Sequence, residues 1–377
     1  MNLKTGVACW AIAISVLGIH SGMGQTPQHW GDLYTEAAHR AVNIVIIGDS
    51  IACCIGPKDY NNVWPNQLRA QLELKAPSHG SGIIPVGNNN GVSMNPQWSF
   101  DGAKDEITTI EFGPFQSGTG QFGGVFRLEG SHRLTISPHR GDHANIYFAT
   151  TNDSAGGIRV SSGATFLGLI GREQSMKPEA RMASIALPAD GADHSITLEP
   201  AQPTSAIYIY GVEFTSGSVG LSIHNLAHGY ARSEAWGGDP VRQMAFLSHI
   251  PGKLDAAIIA LGVNDSVNNM GTTAAQYTAN MRAIIGALRR LNPKIRIVIQ
   301  DEINTKPGEV ANLLPQSSVR QQEIRLASEL HLGYISIADR WGPEKQAELD
   351  GYMASDGVHP SDSGGQAIAV LMEHFIQ

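Results

Sequence analysis

The sequence predicts an α/β protein in which a parallel β-sheet with helices on both faces is interrupted by an inserted antiparallel β-sandwich. Two observations lead to this fold class. Near both ends of the chain, apolar runs typical of buried strands alternate with stretches of helical periodicity, which is the pattern of a parallel sheet. Between about residues 107 and 214 the runs are short and separated by turn signals, with no strong amphipathic helix. That texture is typical of an antiparallel β-sandwich.

The composition is that of a globular protein of more than one domain. A chain of 377 residues is long for a single domain, so we expect two. With 42% hydrophobic and 16% charged residues it can bury a core. The net charge of −8 and the lack of a Lys/Arg cluster argue against a nucleic-acid partner.

Residues 1–24 predict an export signal. Lys4 precedes an apolar run over residues 7–18, which has the length of a signal-peptide core but is short for a membrane span. Small residues follow, so cleavage near Gly24-Gln25 is expected, and an uncleaved anchor is the alternative. We therefore expect a periplasmic or secreted protein that has no membrane association after cleavage.

The first part of the α/β domain is assigned to residues 25–108. A continuous apolar run over residues 42–47 predicts a buried strand. Apolar residues at helical spacing over residues 63–74, with Pro65 in the first turn, predict a helix. Residues 78–95 are rich in Gly, Asn and Pro and predict a loop.

The insert is assigned to residues 109–215 and the second part of the α/β domain to residues 216–377. The expected strands of the insert share short length and flanking turn residues; they cover 108–112, 124–128, 133–136, 145–149, 157–160, 165–170, 183–187, 195–198 and 205–214. The second part has expected strands at 219–223, 255–261, 295–299 and 333–337, and expected helices at 240–250, 273–291, 316–330 and 364–376. The alternation predicts that these strands continue the first parallel sheet.

A serine follows the first buried strand in the turn Gly48-Asp49-Ser50. Ligands of α/β sheets bind outside the carboxyl ends of the strands, so Ser50 is expected at a ligand site. A serine hydroxyl becomes a useful nucleophile when a base removes its proton. The alternative interpretation is an ordinary turn, because Gly, Asp and Ser are all common turn residues.

Two later segments contain the groups that such a serine needs. Asp356-Gly357-Val358-His359-Pro360 holds a carboxylate and an imidazole, and a histidine oriented by a carboxylate can act as the base. Leu261-Gly262-Val263-Asn264-Asp265 follows another buried strand, where an amide can donate to a developing oxyanion.

In this order, the three segments resemble sequence blocks of the SGNH (GDSL-type) hydrolase superfamily, over about residues 25–108 and 216–377. The resemblance implies a flavodoxin-like three-layer sandwich around a central parallel sheet. It also implies that Ser50 attacks an ester carbonyl, that His359 is the general base and acid, and that Asp356 orients His359. No metal or organic cofactor is implied, and Asp49 is expected to brace the turn.

The resemblance also implies an oxyanion hole, formed by the backbone N–H of Ser50, the N–H of a glycine and the side chain of Asn264. Gly229, in the segment that runs from Ile223 to Gly229, occupies the expected place of the glycine. The spacing from Asn225 to Gly229 is one residue shorter than in the family's Asn-rich version, and Ala227 is the rival position.

The inserted β-domain, together with Trp64-Pro65 and the segment around Gly80, is similar to bacterial peptidoglycan and polysaccharide O-acetylesterases, whose insert resembles a carbohydrate-binding module. Ile51 stands where some of that group carry histidine. This resemblance implies an acetylated carbohydrate as the substrate. An acyltransferase with the same triad and a non-catalytic glycan-binding protein remain as alternatives, and the oligomeric state stays open.

Several other residues admit two interpretations. Adjacent cysteines rarely bridge, so we expect Cys53 and Cys54 to pack near the site without a disulfide, a metal or redox pair being the alternative. Trp98 and Trp236 are either sugar platforms or buried core residues. The histidines at 224 and 228 are expected to pack near the site. The segment from His139 to His143 is expected to be a polar hairpin loop, with a metal cluster or an adhesion tripeptide as alternatives.

Overall fold

A five-stranded parallel sheet forms the centre of the α/β domain in the computed structural model, which describes residues 30–89, 93–102, 108–110, 125–152, 154, 156–267, 272–305 and 314–376. Numbered in chain order through the whole molecule, its strands are β1 (Ala41–Gly48), β15 (Gly220–Asn225), β16 (Leu254–Ala260), β17 (Arg296–Asp301) and β18 (Gly333–Ser336). Their spatial order is β15-β1-β16-β17-β18, and each neighbouring pair is parallel. The predicted sheet is therefore present.

Helices cover both faces of this sheet. One face carries α1 (Asp32–Ala37), α3 (Trp64–Glu73) and α11 (Asp362–Ile376), and the other carries α4 (Ser233–Gly237), α7 (Ala274–Leu291) and α8 (Gln316–Leu330). Alternate side chains of β1 point to the two faces, because successive residues of a strand point in opposite directions. Shorter helices lie in the connections: α2 (Ser50–Cys53), α5 (Pro240–Gln243), α6 (Val263–Val267), α9 (Ile337–Trp341), α10 (Glu344–Leu349), and 3-10 turns at Tyr60–Asn62 and Ala245–His249.

The insert consists of two packed antiparallel sheets around their own apolar core. What we call the outer sheet has the order β11 (Thr165–Ile170), β10 (Ile158–Ser162), β13 (His194–Pro200), β8 (Leu134–His139) and β5 (Trp98–Phe100). What we call the inner sheet has the order β12 (Glu179–Ala186), β9 (His143–Thr150), β14 (Ile207–Thr215), β7 (Val125–Leu128) and β6 (Thr108–Ile110), with β2 (Ile84–Pro85) paired to β14. A short hairpin joins β3 (Gly87–Asn89) and β4 (Ser93–Met94).

The inner sheet packs directly on the α/β domain. Tyr147, Tyr208 and Tyr210 belong to the same apolar cluster as α4, α7 and α8, the helices on one face of the parallel sheet. The ring of Tyr210 stacks on Phe246, with 4.5 Å between the ring centroids. The insert is thus anchored through its inner sheet.

The structure differs from the sequence analysis in three places. Antiparallel pairing begins at β2 and β5, before residue 109, because Ile84 and Trp98 find partners on strands far along the chain that local patterns do not reveal. The expected helix at 240–250 is divided into α5 and a 3-10 turn. The short helices α1, α2, α4, α6, α9 and α10 were not expected. No helix among the described residues is long and apolar enough to span a membrane, and the predicted signal segment lies outside these residues.

Candidate active site

Ser50 lies at the carboxyl end of β1, the strand next to the edge strand β15, and is the first residue of α2. Asp49 is the N-cap of this helix, and its Oδ1 accepts a hydrogen bond of 2.9 Å from the Ile51 N–H. Because α2 begins at Ser50, the Ser50 N–H has no intrahelical acceptor. The turn therefore directs both a hydroxyl and a backbone donor to the end of the sheet.

The structure brings Ser50, His359 and Asp356 into one hydrogen-bonded chain. Nε2 of His359 lies 2.9 Å from Ser50 Oγ, and its Nδ1 lies 2.7 Å from Asp356 Oδ2. A carboxylate acceptor at Nδ1 requires a proton on that nitrogen, which leaves Nε2 to accept from the hydroxyl. This arrangement suits the removal of the serine proton.

The loop that carries the acid and the base is held by hydrogen bonds to the Asp356 side chain. Asp356 Oδ1 accepts the N–H groups of Val358 and His359, each at 2.9 Å. Burial raises the pKa of Asp356, but these two N–H groups and the His359 ring outweigh it, so that its pKa lies below the ordinary value. Asp356, whose side chain is about half exposed, therefore stays ionised through the neutral range.

A glycine lets the nucleophile segment approach this loop. Gly56 has φ +104°, a region that side chains rarely adopt. A Cβ on Gly56 would stand 2.2 Å from the Pro360 carbonyl oxygen and 2.7 Å from His359 Cβ. The close contact between the end of the α2 segment and the histidine loop therefore requires glycine.

Of the two candidates for the second backbone oxyanion donor, Ala227 is already engaged. Its N–H donates to Asn225 Oδ1 at 3.1 Å, and the Asn225 amide in turn donates to the Ala52 carbonyl in α2. The next N–H, that of His228, donates to Gly48. Gly229 is buried one residue further along and remains the candidate that the sequence favours.

Asn264 is buried beside the Ser50 turn in α6. Its Nδ2 donates to Asp49 Oδ2 at 3.0 Å and to the Ala231 carbonyl at 3.1 Å. An amide nitrogen has two hydrogens, so donation to an oxyanion requires that one of these bonds be shared or exchanged. In the arrangement seen here, Asn264 fixes the carboxylate that caps α2.

The sequence analysis missed Glu302, which directly follows β17 and is buried beneath Asp49. Its Oε2 accepts the Val263 N–H at 2.9 Å, and its carboxyl interacts electrostatically with that of Asp49. Burial raises the pKa of both carboxyls. The sequence did contain a sign of this residue. Asp301-Glu302 comes shortly after an apolar run that predicts a strand, just as Asp49 and Asn264 come shortly after the apolar runs that precede them.

The two expected neighbouring histidines are buried and neutral. Burial lowers the pKa of His224 to about 3 and that of His228 to about 4. His224 Nδ1 accepts the Ile83 N–H and its Nε2 contacts Asn43 Oδ1, each at 3.2 Å. Its Nδ1 also lies 3.9 Å from a Glu213 oxygen, but a neutral ring that accepts at this nitrogen forms no ion pair there.

The expectation that Cys53 and Cys54 remain unbridged is wrong. They form a disulfide with an S–S distance of 2.01 Å. The helix α2 ends between them, since Cys53 is its last residue and Cys54 is its C-cap with an extended φ of −171°. Cys54 therefore lies outside regular helical geometry, whereas Cys53 is still part of the helix.

The remaining candidates are structural. Trp98 is buried in the core of the insert and Trp236 in the core between the insert and the α/β domain. The segment from His139 to His143 joins β8 of the outer sheet to β9 of the inner sheet, so the expected hairpin loop is instead a connection between the two sheets, and its Asp142 accepts the Gly217 N–H. No group of three or more metal-ligand side chains occurs among the described residues.

The chain is similar to known proteins in part of its sequence and in its structure. Residues 212–367 match the GDSL-like Lipase/Acylhydrolase family. A solved structure described as a peptidoglycan O-acetylesterase in action superposes with a TM-score of 0.70 at 16% identity, covering 92% of this chain and 94% of that one. A lipase/acylhydrolase from Enterococcus faecalis gives a TM-score of 0.35 at 15% identity, covering 42% of this chain and 76% of that one. No curated protein matches the sequence significantly. The resemblance to the SGNH hydrolases and the expected fold with its inserted β-domain are confirmed.

Proposed function

We propose that this chain, whose residues 212–367 match the GDSL-like Lipase/Acylhydrolase family and which has the SGNH hydrolase fold, is an exported ester hydrolase. We propose that it removes O-acetyl groups from a carbohydrate through an acyl-Ser50 intermediate. The observation that carries the proposal is the continuous hydrogen-bonded chain from Asp356 through His359 to Ser50. The likeness to the O-acetylesterase structure extends over the insert as well, and it supports the choice of an acetylated glycan.

The proposed reaction has two halves. His359 Nε2 takes the Ser50 proton while Oγ attacks the acetyl carbonyl, and then returns that proton to the departing sugar hydroxyl. In the second half, water attacks the acyl carbonyl while His359 Nε2 takes its proton; the bond between the acetyl carbon and Ser50 Oγ then breaks, acetate leaves, and His359 returns the proton to Ser50 Oγ. The N–H groups of Ser50 and Gly229, with the Asn264 amide, are the proposed oxyanion donors.

The test is turnover of p-nitrophenyl acetate and of longer p-nitrophenyl esters, followed by acetate release from acetylated glycans. We expect the acetyl ester to be preferred and Ser50→Ala to lower kcat/KM by about 10⁶-fold. The melting temperature should not change, because Ser50 Oγ bonds only to His359 among the described groups. Activity retained by S50A would refute the proposal.

The alternatives have distinct outcomes in the same assay. Acetyl groups recovered on an added sugar acceptor instead of as free acetate would indicate an acyltransferase. Glycan binding by a folded protein without any esterase activity would indicate a non-catalytic glycan-binding protein. Amino-terminal sequencing of the mature protein tests the proposed cleavage near Gly24-Gln25 and hence a periplasmic or secreted location.

A further inference from the structure

Three neighbouring strands of the parallel sheet end in buried acidic residues beneath Ser50. Asp49 follows β1, Asp265 lies just after β16, and Glu302 follows β17; all three are at most 5% exposed. Ionised carboxyl groups this close together and out of water repel each other and lose their hydration. At least one of them must therefore carry a proton.

The hydrogen bonds identify which carboxyl holds it. Asp49 accepts at both oxygens, from the Ile51 N–H at Oδ1 and from the Asn264 amide at Oδ2. Glu302 accepts the Val263 N–H at Oε2, whereas its buried Oε1 receives no hydrogen bond from any group that the structure describes. The consecutive residues Val263 and Asn264 hold the two carboxyls side by side, Val263 through its N–H to Glu302 and Asn264 through its amide to Asp49, and each carboxyl shifts the pKa of the other. A proton on Glu302 Oε1 supplies the missing donor and leaves Asp49 as the acceptor on all sides.

We propose that protonated Glu302 is a positioning residue for the esterase site, which ties the Ser50 turn to the segment that carries Asn264. One of its oxygens donates to Asp49, the cap of the nucleophile helix, and the other holds the Val263 N–H next to Asn264. This inference rests on the proposed hydrolase function. Glu302 itself touches neither Ser50 nor His359 in the hydrogen bonds described.

The surroundings favour retention of the proton. Burial and the Asp49 charge raise the pKa of Glu302 well above its ordinary value. Asp265 accepts the Ser233 N–H and hydroxyl, and Glu323 accepts from the Tyr277 hydroxyl. Further charged and titratable groups around the pair, from every element that packs on it, are Asp301, Arg320 and Tyr277. Only Arg320 among them is cationic, and it is bonded to Asp301.

Loss of this proton should weaken the site. Two adjacent buried carboxylates would then repel, and the Asp49 cap and the Asn264 amide would shift. We therefore expect kcat for p-nitrophenyl acetate to fall on the alkaline side in a step that belongs to Glu302. KM should change little, since no substrate contact is lost.

Two substitutions at Glu302 test this. Glu302→Gln keeps the shape, donates an N–H to Asp49 and accepts the Val263 N–H; it should retain neutral-pH kcat and lose the alkaline step. Glu302→Ala removes both bonds and should lower kcat by about 10²-fold, the cost of a small misplacement of reacting groups. Glu323→Gln is the matched control, because Glu323 is also buried but forms no hydrogen bond to Asp49 or Val263 among the described residues; it should retain the alkaline step, moved to lower pH because the Glu323 charge raises the pKa of Glu302.

Thermal melting gives a readout that does not depend on activity. A raised pKa makes the folded protein hold a proton that the unfolded chain releases, so stability is lost as pH rises above the ordinary glutamate value. The melting temperature of E302Q should therefore rise relative to wild type with increasing pH. A constant difference, or E302A with wild-type kcat and pH profile, would overturn the inference. An inactive wild type would instead remove the proposed function and this role with it.

Discussion

Buried carboxyl groups occur in two regions of the molecule that use them differently. Beneath Ser50, Asp49 and Glu302 lie at the ends of parallel strands, where backbone N–H groups from several elements converge. At the junction with the insert, Glu213 lies within β14 and accepts from Asn145 and Tyr147 on the neighbouring strand β9. The first region adjoins Ser50 at the ends of strands, whereas the second lies inside a strand of the inner sheet. The two sets of buried acids therefore differ in what surrounds them, loop and helix ends in the first region and neighbouring strands in the second.

After the substitution of Ser50, the largest loss of activity is expected from the substitution of Asp356, near the first of these two regions. In Asp356→Asn an amide faces His359 Nδ1, so the ring takes the other tautomer and Nε2 no longer accepts the serine proton. We expect kcat/KM for p-nitrophenyl acetate to fall by about 10⁴-fold. The matched control is Asp190→Asn in the insert, which removes another Asp–His hydrogen bond, of 3.0 Å to His194, and should leave kcat/KM unchanged. Equal losses in both variants would contradict the assignment.

Asp356→Asn should also change how stability depends on pH. The pKa of Asp356 is lowered, so its stabilising contribution is present above the ordinary aspartate value and is lost as pH falls through the lowered one. Asp356→Asn should therefore show a smaller acid-side loss of melting temperature than wild type. If the melting temperatures of Asp356→Asn and wild type fell equally at acid pH, the Asp356 hydrogen bonds would not stabilise the folded loop.

At the junction, the expected effect is on stability. Phe246 is buried and stacks on Tyr210 of the inner sheet. Phe246→Ala should cost about 3–5 kcal/mol in free energy of unfolding, measured by urea denaturation, with kcat unchanged in the folded fraction. Phe166→Ala on the outer sheet is the control: that ring is 52% exposed beneath the Arg159 guanidinium, and its loss should cost about 1 kcal/mol or less.

A smaller effect is expected at Glu213. Glu213→Ala leaves the Tyr147 hydroxyl and the Asn145 amide without their acceptor, at about 1–3 kcal/mol for each unsatisfied group. Glu213→Gln retains an acceptor oxygen and should be milder. Urea denaturation measures both, and a fall in kcat of folded E213Q would contradict a purely structural role for the junction.

The smallest effect is expected on the outer sheet. Thr135 and Thr197 form a cross-strand hydrogen bond of 2.9 Å between half-buried hydroxyls. Thr135→Val should change the free energy of unfolding by about 0.2–1 kcal/mol, the range of such cross-strand pairs. A larger loss would contradict the expectation that this hydrogen bond on the outer sheet contributes less to stability than the contacts at the junction.

Sequence patterns reached the elements that local periodicity specifies. The helix of residues 316–330 was expected with its observed bounds, and the strand at 255–261 lies within one residue of its observed limits. Strands such as β2 escaped because their pairing depends on residues more than a hundred positions away. The disulfide of Cys53 and Cys54 escaped because it depends on where α2 ends.

By itself, the sequence determined that Ser50 and Asn264 follow buried strands and that Asp356 and His359 share one loop. Strands of a parallel sheet end at the same edge, so Ser50 and Asn264 were expected on the same side of the sheet. Only the tertiary structure decided the hydrogen bonds of the triad, the engagement of the Asn264 amide and the pairing of Asp49 with Glu302. Those depend on desolvation and on contacts between the ends of three separate strands, which no local pattern contains.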